Sequence, residues 1–236
     1  MKDLATRLSQ SKARIKIIVT DGVFSMDGDM AKLDEIADIA EKYNAMLVVD
    51  DCHATGFIGE NGKGTHEYFK VKEKVDIITT TFGKALGGAM GGSISGPKEI
   101  INILRQRARP YLFSNALMPA IVEGTLKALD LVEKAHLERK NLLDMSKFWK
   151  DGLIDLGFDI KQGNTPIVPI MLYDSKTTQE FSRKLFDYGI YATGFFFPVV
   201  PKNEARIRTQ ISASHNLNQL RDALEIFKKV KNELMI

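Results

Sequence analysis

The sequence predicts an α/β layered domain followed by a smaller α+β domain, and three features predict it. Compact β-branched runs at residues 16–20, 45–50 and 75–81 alternate with stretches of helical spacing. Strands separated by helices pair in parallel through crossover connections, which builds a layered sheet. Polar residues gather at the ends of these runs, where open α/β sheets collect their ligands. After about residue 130 the pattern changes to long helical stretches and shorter strand runs that contain proline. The expected division is residues 1–130 and 131–236, with no internal repeat and no low-complexity linker.

Each element has its own justification. Residues 3–13 suit a short helix. Residues 16–20 (Lys-Ile-Ile-Val-Thr) read as a buried strand that stops at the Asp21-Gly22 turn. Leu33, Ile36, Ala37, Ile39 and Ala40 recur with the helical period over residues 32–43. Residues 45–50 form a second strand whose end carries two carboxylates, Asp50 and Asp51, and a glycine-rich loop runs from 56 to 64. A third strand over 75–81 stops just before Gly83-Lys84, and residues 90–96 read as a fourth between turns. Helices are expected over 97–108 and 118–135, then from 131 to 156 with a break near Ala135-His136. Proline lacks the amide donor that a ladder needs, so the run at 165–172 belongs at a sheet edge or a strand entry. A helix at 176–188, strands at 190–193 and 206–212, and an amphipathic helix at 217–233 complete the chain.

Composition bounds the function. Hydrophobic content of 44% and charged content of 27% in 236 residues are those of a globular protein with a core. The net charge is +3, with both signs interspersed, so no nucleic-acid surface is expected. The basic stretch Arg105-Gln-Arg-Ala-Arg109 reads as a solvated helix face. A single cysteine, Cys52, excludes an intrachain disulfide and suits a reducing compartment. No segment has the apolar core of a signal peptide or the ~20 apolar residues of a membrane span, so a soluble cytoplasmic protein is expected.

Asp50, Asp51, His53, Ser25 and Lys84 all fall at or just after strand ends, which points to one site. Lys84 lies in Thr79-Thr-Thr-Phe-Gly-Lys-Ala-Leu-Gly-Gly-Ala-Met-Gly-Gly92, among small residues that let a flat group approach. A Schiff-base lysine needs that room, whereas an isolated lysine in a turn is ordinarily a surface residue. The phosphate-loop pattern Gly-x-x-x-x-Gly-Lys-Ser/Thr is absent. A carboxylate at a buried strand end needs a partner. For Asp50 three remain open from the residues alone: a pyridinium nitrogen, a neighbouring loop, or a divalent ion shared with Asp51 and His53. Arg206 and Arg208 alternate along one strand and so share a face, suited to a carboxylate or simply to solvent. Cys52 reads as packing rather than a nucleophile. His66, His136 and His215 show no ligand spacing, and Trp149 and the Phe195-Phe-Phe197-Pro198 run read as packing residues.

Four motifs together resemble the α-oxoamine synthases, a fold-type I family of pyridoxal-phosphate (PLP) acyltransferases. They are Asp21-Gly-Val-Phe-Ser-Met-Asp-Gly28, Val49-Asp-Asp-Cys-His-Ala-Thr-Gly56, Thr81-Phe-Gly-Lys-Ala-Leu-Gly-Gly88, and Arg206-Ile-Arg208 with Ser212-Ala-Ser-His215. The resemblance covers essentially the whole chain. It implies the C-terminal part of a large, mostly parallel-sheet PLP domain plus a small α+β C-terminal domain. By resemblance, Lys84 would hold PLP as a Schiff base and act as general base. Asp50 would pair with the pyridinium nitrogen, His53 and Ser25 would contact the ring hydroxyl side, and His53 would also serve as an acid. Thr81 would hold the phosphate, Phe113 and Ser114 would reach the partner subunit's cofactor in a homodimer, and Arg208 would clamp the substrate carboxylate. No metal is implied. The stretches Gly59-Glu-Asn-Gly-Lys-Gly-Thr-His-Glu67 and Arg107-Ala-Arg-Pro-Tyr-Leu-Phe-Ser-Asn115 resemble the branch that condenses glycine with acetyl-CoA to 2-amino-3-oxobutyrate, in threonine and glycine metabolism. Alternatives are condensation of alanine with a pimeloyl thioester, as in biotin synthesis, or an inactive fragment. The family's N-terminal arm, its phosphate-binding glycine loop and its ring-stacking residue would lie upstream of Met1, so only part of the cofactor cradle is expected in this chain.

Overall fold

In a computed structural model describing residues 1–236, the chain separates by its own contacts into two units. One comprises Met1–Phe24 and Met30–His136, the other Ser25–Asp29 and Leu137–Ile236.

The first unit is built on β1 (Ile17–Asp21), β2 (Met46–Asp50), β3 (Ile77–Thr81) and β4 (Gly92–Ser95), which lie side by side in chain order. β1, β2 and β3 pair in parallel. Helix α2 (Leu33–Lys42) makes the crossover from β1 to β2 and buries Leu33, Ile36, Ala37 and Ala40, the stripe that its sequence period places on one face. That stripe meets Leu47 and Val49 of β2 in a core completed by Ile18, Val71 and Leu8 of α1 (Lys2–Gln10). Burying each leucine, isoleucine or valine of this core stabilises the fold by about 1.5–3 kcal/mol. Asn44 takes up the left-handed φ of +48° that ends α2, a conformation asparagine tolerates. The alternation of β2 buries Leu47 and Val49, so Asp50 belongs to the other face and emerges at the strand's carboxyl end.

The parallel pairing expected of the runs at 16–20, 45–50 and 75–81 holds, while β4, whose direction was not assigned, runs antiparallel to β3. The connection explains the difference. Residues 82–91 contain no helix, and a parallel return needs a crossover of a dozen or more residues. Helices α4 (Lys98–Arg107), α5 (Arg109–Phe113) and α6 (Pro119–Lys134) follow, with a four-residue helix α3 (Thr65–Tyr68) earlier in the unit. Ala135 breaks the long helical stretch where the sequence predicts.

The second unit contains α7 (His136–Asp155), β5 (Ile167–Tyr173), α8 (Ser175–Asp187), β6 (Thr193–Phe195), β7 (Ala205–Gln210) and α9 (Leu217–Leu234). Its sheet has the order β5-β7-β6, with both pairs antiparallel. The proline-bearing β5 is an edge strand, as its composition predicts. β7 is central, so a pair of arginines on a solvent-facing edge strand is excluded. The strand expected at 190–193 instead begins at Thr193, because Ile190 N–H donates to Leu185 O and residues 189–190 close α8. Trp149, Phe158, Phe181 and Phe227 form an aromatic cluster with ring centroids 5.2–6.0 Å apart. Asn216 and Gln219 form a reciprocal capping box at the start of α9. No helix is long and apolar enough to cross a membrane.

Candidate functional site

The sequence-predicted residues divide between the units. Asp50, His53, Thr81, Lys84, Phe113 and Ser114 lie in the first, and Ser25 and Arg208 in the second. Asp50 is the last residue of β2 and Thr81 the last of the adjacent β3. The half-buried Asp50 carboxylate accepts the Cys52 N–H at 2.9 Å. Burial works to raise its pKa, but hydrogen bonds from Cys52 and Thr79 and the nearby Lys84 charge outweigh that. The net effect holds Asp50 below the ordinary aspartate value, so it is ionised at neutral pH. Burial first, then Asp50, push the Cys52 thiol up to about 11. A neutral thiol is a poor nucleophile, which agrees with reading Cys52 as packing.

Lys84 is exposed on the 82–91 loop, and backbone bonds across the loop give it a fixed shape. Phe82 N–H donates to Gly91 O at 2.9 Å, Gly88 N–H to Phe82 O at 2.6 Å and Gly87 N–H to Lys84 O at 3.0 Å. Thr125 of α6 donates its hydroxyl to Gly88 O at 3.2 Å, and a Cβ on Gly88 would lie 2.6 Å from that same hydroxyl oxygen. Thr81 Oγ1 donates to Gly91 O at 3.1 Å, which ties the end of β3 to the far side of the loop. His53 stands in the turn that follows Asp50, where Ala54 N–H and Thr55 N–H donate to Asp51 O at 3.0 and 2.9 Å. Phe113 ends α5 with its side chain 80% exposed, and Ser114 is exposed beside it, so neither is committed to packing.

Thr79, Thr80 and Tyr111, to which the sequence assigned no role, line the same region. A cleft of about 680 Å3 is bordered by Asp50, Cys52, Thr79, Thr80 and Tyr111. Thr80 Oγ1 is buried without a hydrogen-bond partner. The Thr79-Thr-Thr81 run between Asp50 and Lys84 was the available signal, since three hydroxyls close a half-buried strand that opens with two isoleucines.

Asp51 does not converge with Asp50 on a common ion. Its carboxylate is fully buried and accepts hydrogen bonds from Thr65 N–H at 2.8 Å and the Thr65 hydroxyl at 2.6 Å, with His66 Nδ1 at 3.3 Å. No group of three or more histidine, cysteine or acidic residues is arranged to hold a metal. The metal alternative therefore has no geometric support.

In the second unit, both arginines of β7 reach the Ser25–Asp29 segment, consistent with their shared face. Arg206 is buried and its fork is filled by Asp27 and by Glu204 Oε2 at 2.9 Å, while its Nε donates to Glu204 O at 2.9 Å. Arg208 is half-buried, donates to Ser25 O at 3.0 Å and lies over the Phe195 ring at 4.9 Å. Burial lowers its pKa from the usual arginine value, although the group stays cationic. Of the two, Arg208 is the one with donors to spare for a ligand.

Residues 1–227 match the aminotransferase class I and II family. The chain is 48% identical to 2-amino-3-ketobutyrate coenzyme A ligase of Escherichia coli K12 over 237 residues, covering 99% of this chain and 60% of the relative. It is 47% identical to 8-amino-7-oxononanoate synthase of Thermosipho melanesiensis over 235 residues, again 99% and 60%. Among solved structures, Sphingomonas wittichii serine palmitoyltransferase superposes with a TM-score of 0.95 at 29% identity, covering 99% of this chain and 59% of that one. A serine palmitoyltransferase structure solved with PLP has the same TM-score at 30% identity and the same coverage. The chain thus spans about 60% of the length of the curated relatives it matches. The first unit fits PLP in its donor set: an ionised carboxylate at Asp50 suits a protonated ring nitrogen, and an exposed amine at Lys84 suits the aldehyde.

Proposed function

We propose, since this chain belongs to the aminotransferase class I and II family, that it works as an α-oxoamine synthase condensing glycine with acetyl-CoA. The 48% identity to 2-amino-3-ketobutyrate coenzyme A ligase over 99% of the chain carries the choice of substrates. The lowered pKa of Asp50 beside Lys84 supports the chemistry. PLP, when bound, supplies an electron sink for a carbanion at the amino-acid α-carbon. Asp50 would hold the ring nitrogen protonated, Thr81 would hold the phosphate, and Ser25 and His53 would orient the ring hydroxyl. Lys84 takes the proton from the α-carbon, and His53 donates to the developing oxyanion. Arg208 grips the substrate carboxylate with the face of its fork that Ser25 O leaves open. A carbon–carbon bond forms between the glycine α-carbon and the acetyl carbonyl, the thioester carbon–sulfur bond breaks, and the α-proton is balanced by the proton on the released CoA thiol. Phe113, exposed at the end of α5, and Ser114 just after it would reach the partner subunit's cofactor in a cytoplasmic homodimer. The division into a partial PLP-binding domain, residues 1–130, and a small C-terminal domain, residues 131–236, belongs to the same reading.

A second reading rests on the 47% identity to 8-amino-7-oxononanoate synthase, with alanine and pimeloyl-CoA as substrates. Thiol release measured with each substrate pair separates the two. Release with glycine and acetyl-CoA, lost in Lys84→Ala, supports the proposal. Release with alanine and pimeloyl-CoA alone overturns it.

A further inference from the structure

Asp51 is the most heavily engaged buried carboxylate in the first unit, and the proposed chemistry makes no use of it. It lies between Asp50 and His53 in the chain, yet its side chain points the other way, into the protein. Its carboxylate accepts from Thr65 N–H at 2.8 Å and Thr65 Oγ1 at 2.6 Å, with His66 Nδ1 at 3.3 Å. Its own N–H donates to Thr79 O at 2.8 Å, and its carbonyl accepts from Ala54 and Thr55. Two glycines make room for it. A Cβ on Gly22 would lie 2.0 Å from Oδ1, and one on Gly64 would lie 2.1 Å from Oδ2. Gly22 N–H in turn donates to Asp50 O at 2.7 Å. The carboxylate therefore ties the turn after β2 to the start of α3 by hydrogen bonds, with Gly22 at the end of β1 packed against it.

We infer that Asp51 is a positioning residue: anchored by Thr65 and His66, it fixes the turn that aims Asp50 and His53 at the cofactor. The inference rests on the proposed PLP chemistry. A charge this deeply buried is tolerable only with its full set of donors, so the three segments have one arrangement relative to each other. Neutralising it weakens the donor set and lets the 51–55 turn relax. Asp50 is the last residue before that turn and shares a hydrogen bond with Cys52 inside it, so it loses its aim first.

The test is the PLP-dependent visible absorption band of the purified chain, titrated with pH and with PLP. Controls are Lys84→Ala, which removes the band, and Asp50→Asn, which moves its pH midpoint. Asp51→Asn is expected to shift the midpoint in the direction of Asp50→Asn and to weaken PLP binding roughly tenfold. Thr65→Val, which keeps the backbone donor, is expected to give a smaller shift of the same sign and serves where Asp51→Asn does not fold. In an Asp50→Asn background, Asp51→Asn adds no further shift. A midpoint unmoved in Asp51→Asn and Thr65→Val, with wild-type PLP affinity, overturns the inference while the PLP reading stands. A wild-type chain whose band persists in Lys84→Ala overturns the PLP reading and the inference with it.

Discussion

Replacing Asp27 with alanine tests how the Ser25–Asp29 segment is held. Asp27 is 31% exposed, and it pairs with Arg206, only 2% exposed, and with Lys161, 33% exposed. Removing one partner of a buried ion pair costs about 3–5 kcal/mol when the remaining charge is left uncompensated. Arg206 keeps Glu204 Oε2 and Glu204 O, each at 2.9 Å, so the loss is partial. The half-solvated Lys161 pair adds below about 1 kcal/mol. The expected cost of Asp27→Ala is ~2–3 kcal/mol. Arg206→Met takes away the buried charge instead. Asp27 then keeps Lys161 at 2.6 Å and Glu204, 45% exposed, meets water. Its expected cost is ~1 kcal/mol, smaller than that of Asp27→Ala. Urea unfolding followed by tryptophan fluorescence measures both. Trp149 is the sole tryptophan, is buried, and donates to Thr209 Oγ1 at 2.9 Å on the strand that carries Arg206. At an ordinary slope, Asp27→Ala lowers the urea midpoint by about 1 M. A shift under about 0.5 kcal/mol, or Arg206→Met as costly as Asp27→Ala, refutes the reasoning.

Three further outcomes follow from the same physics. Burial raises the Asp27 pKa, but Lys161 and Arg206 outweigh it and the net shift is downward; the stabilisation is therefore complete above the ordinary aspartate value and is lost as pH falls through the native one, and Asp27→Ala should flatten that acid limb of the Trp149 transition, an unchanged limb being the contrary result. With its thiol at about 11, Cys52 should resist iodoacetamide at pH 8, where roughly one thiol in a thousand is ionised, and Asp50→Asn should speed alkylation; prompt stoichiometric labelling of the native wild type contradicts this. Gly64→Ala places a Cβ 2.1 Å from Asp51 Oδ2 at a φ of +120° and should destabilise by well over about 1 kcal/mol, whereas Gly124→Ala in α6, with nothing within 4 Å, should stabilise by up to about 1 kcal/mol; thermal melts showing the same sign for both would contradict the packing.

How much of this was legible in the residues depended on whether neighbours or distant partners set the outcome. Strands β1 to β3 and helices α2, α8 and α9 follow local periodicity, so their sequence positions fall within a few residues of the structure. The direction of β4 is set by the length of the 82–91 connection rather than by the strand's own residues, so its residues alone assigned it none. At 190–192 the residues have strand character, yet the N–H groups of Gly189 and Ile190 are taken up in closing α8. The alternation of Arg206 and Arg208 gave their common face. It could not give the difference between them, because Asp27, which fills the fork of Arg206, stands 179 residues away. The pairing of Asp51 with Thr65 and His66 was hidden in the same way, although the Gly59–Glu67 stretch was singled out for its resemblance. The candidate residues Lys84 and Asp50 were visible because a small-residue loop and a strand-end carboxylate are local signals.

The central claim is that Lys84 carries the cofactor. The most direct measurement is borohydride reduction of the PLP-treated chain, followed by proteolysis and mass spectrometry. A stable phosphopyridoxyl adduct is expected on the peptide containing Lys84, with none elsewhere at comparable yield and none in Lys84→Ala. Labelling spread over other surface lysines, or an unchanged adduct yield in Lys84→Ala, would contradict it.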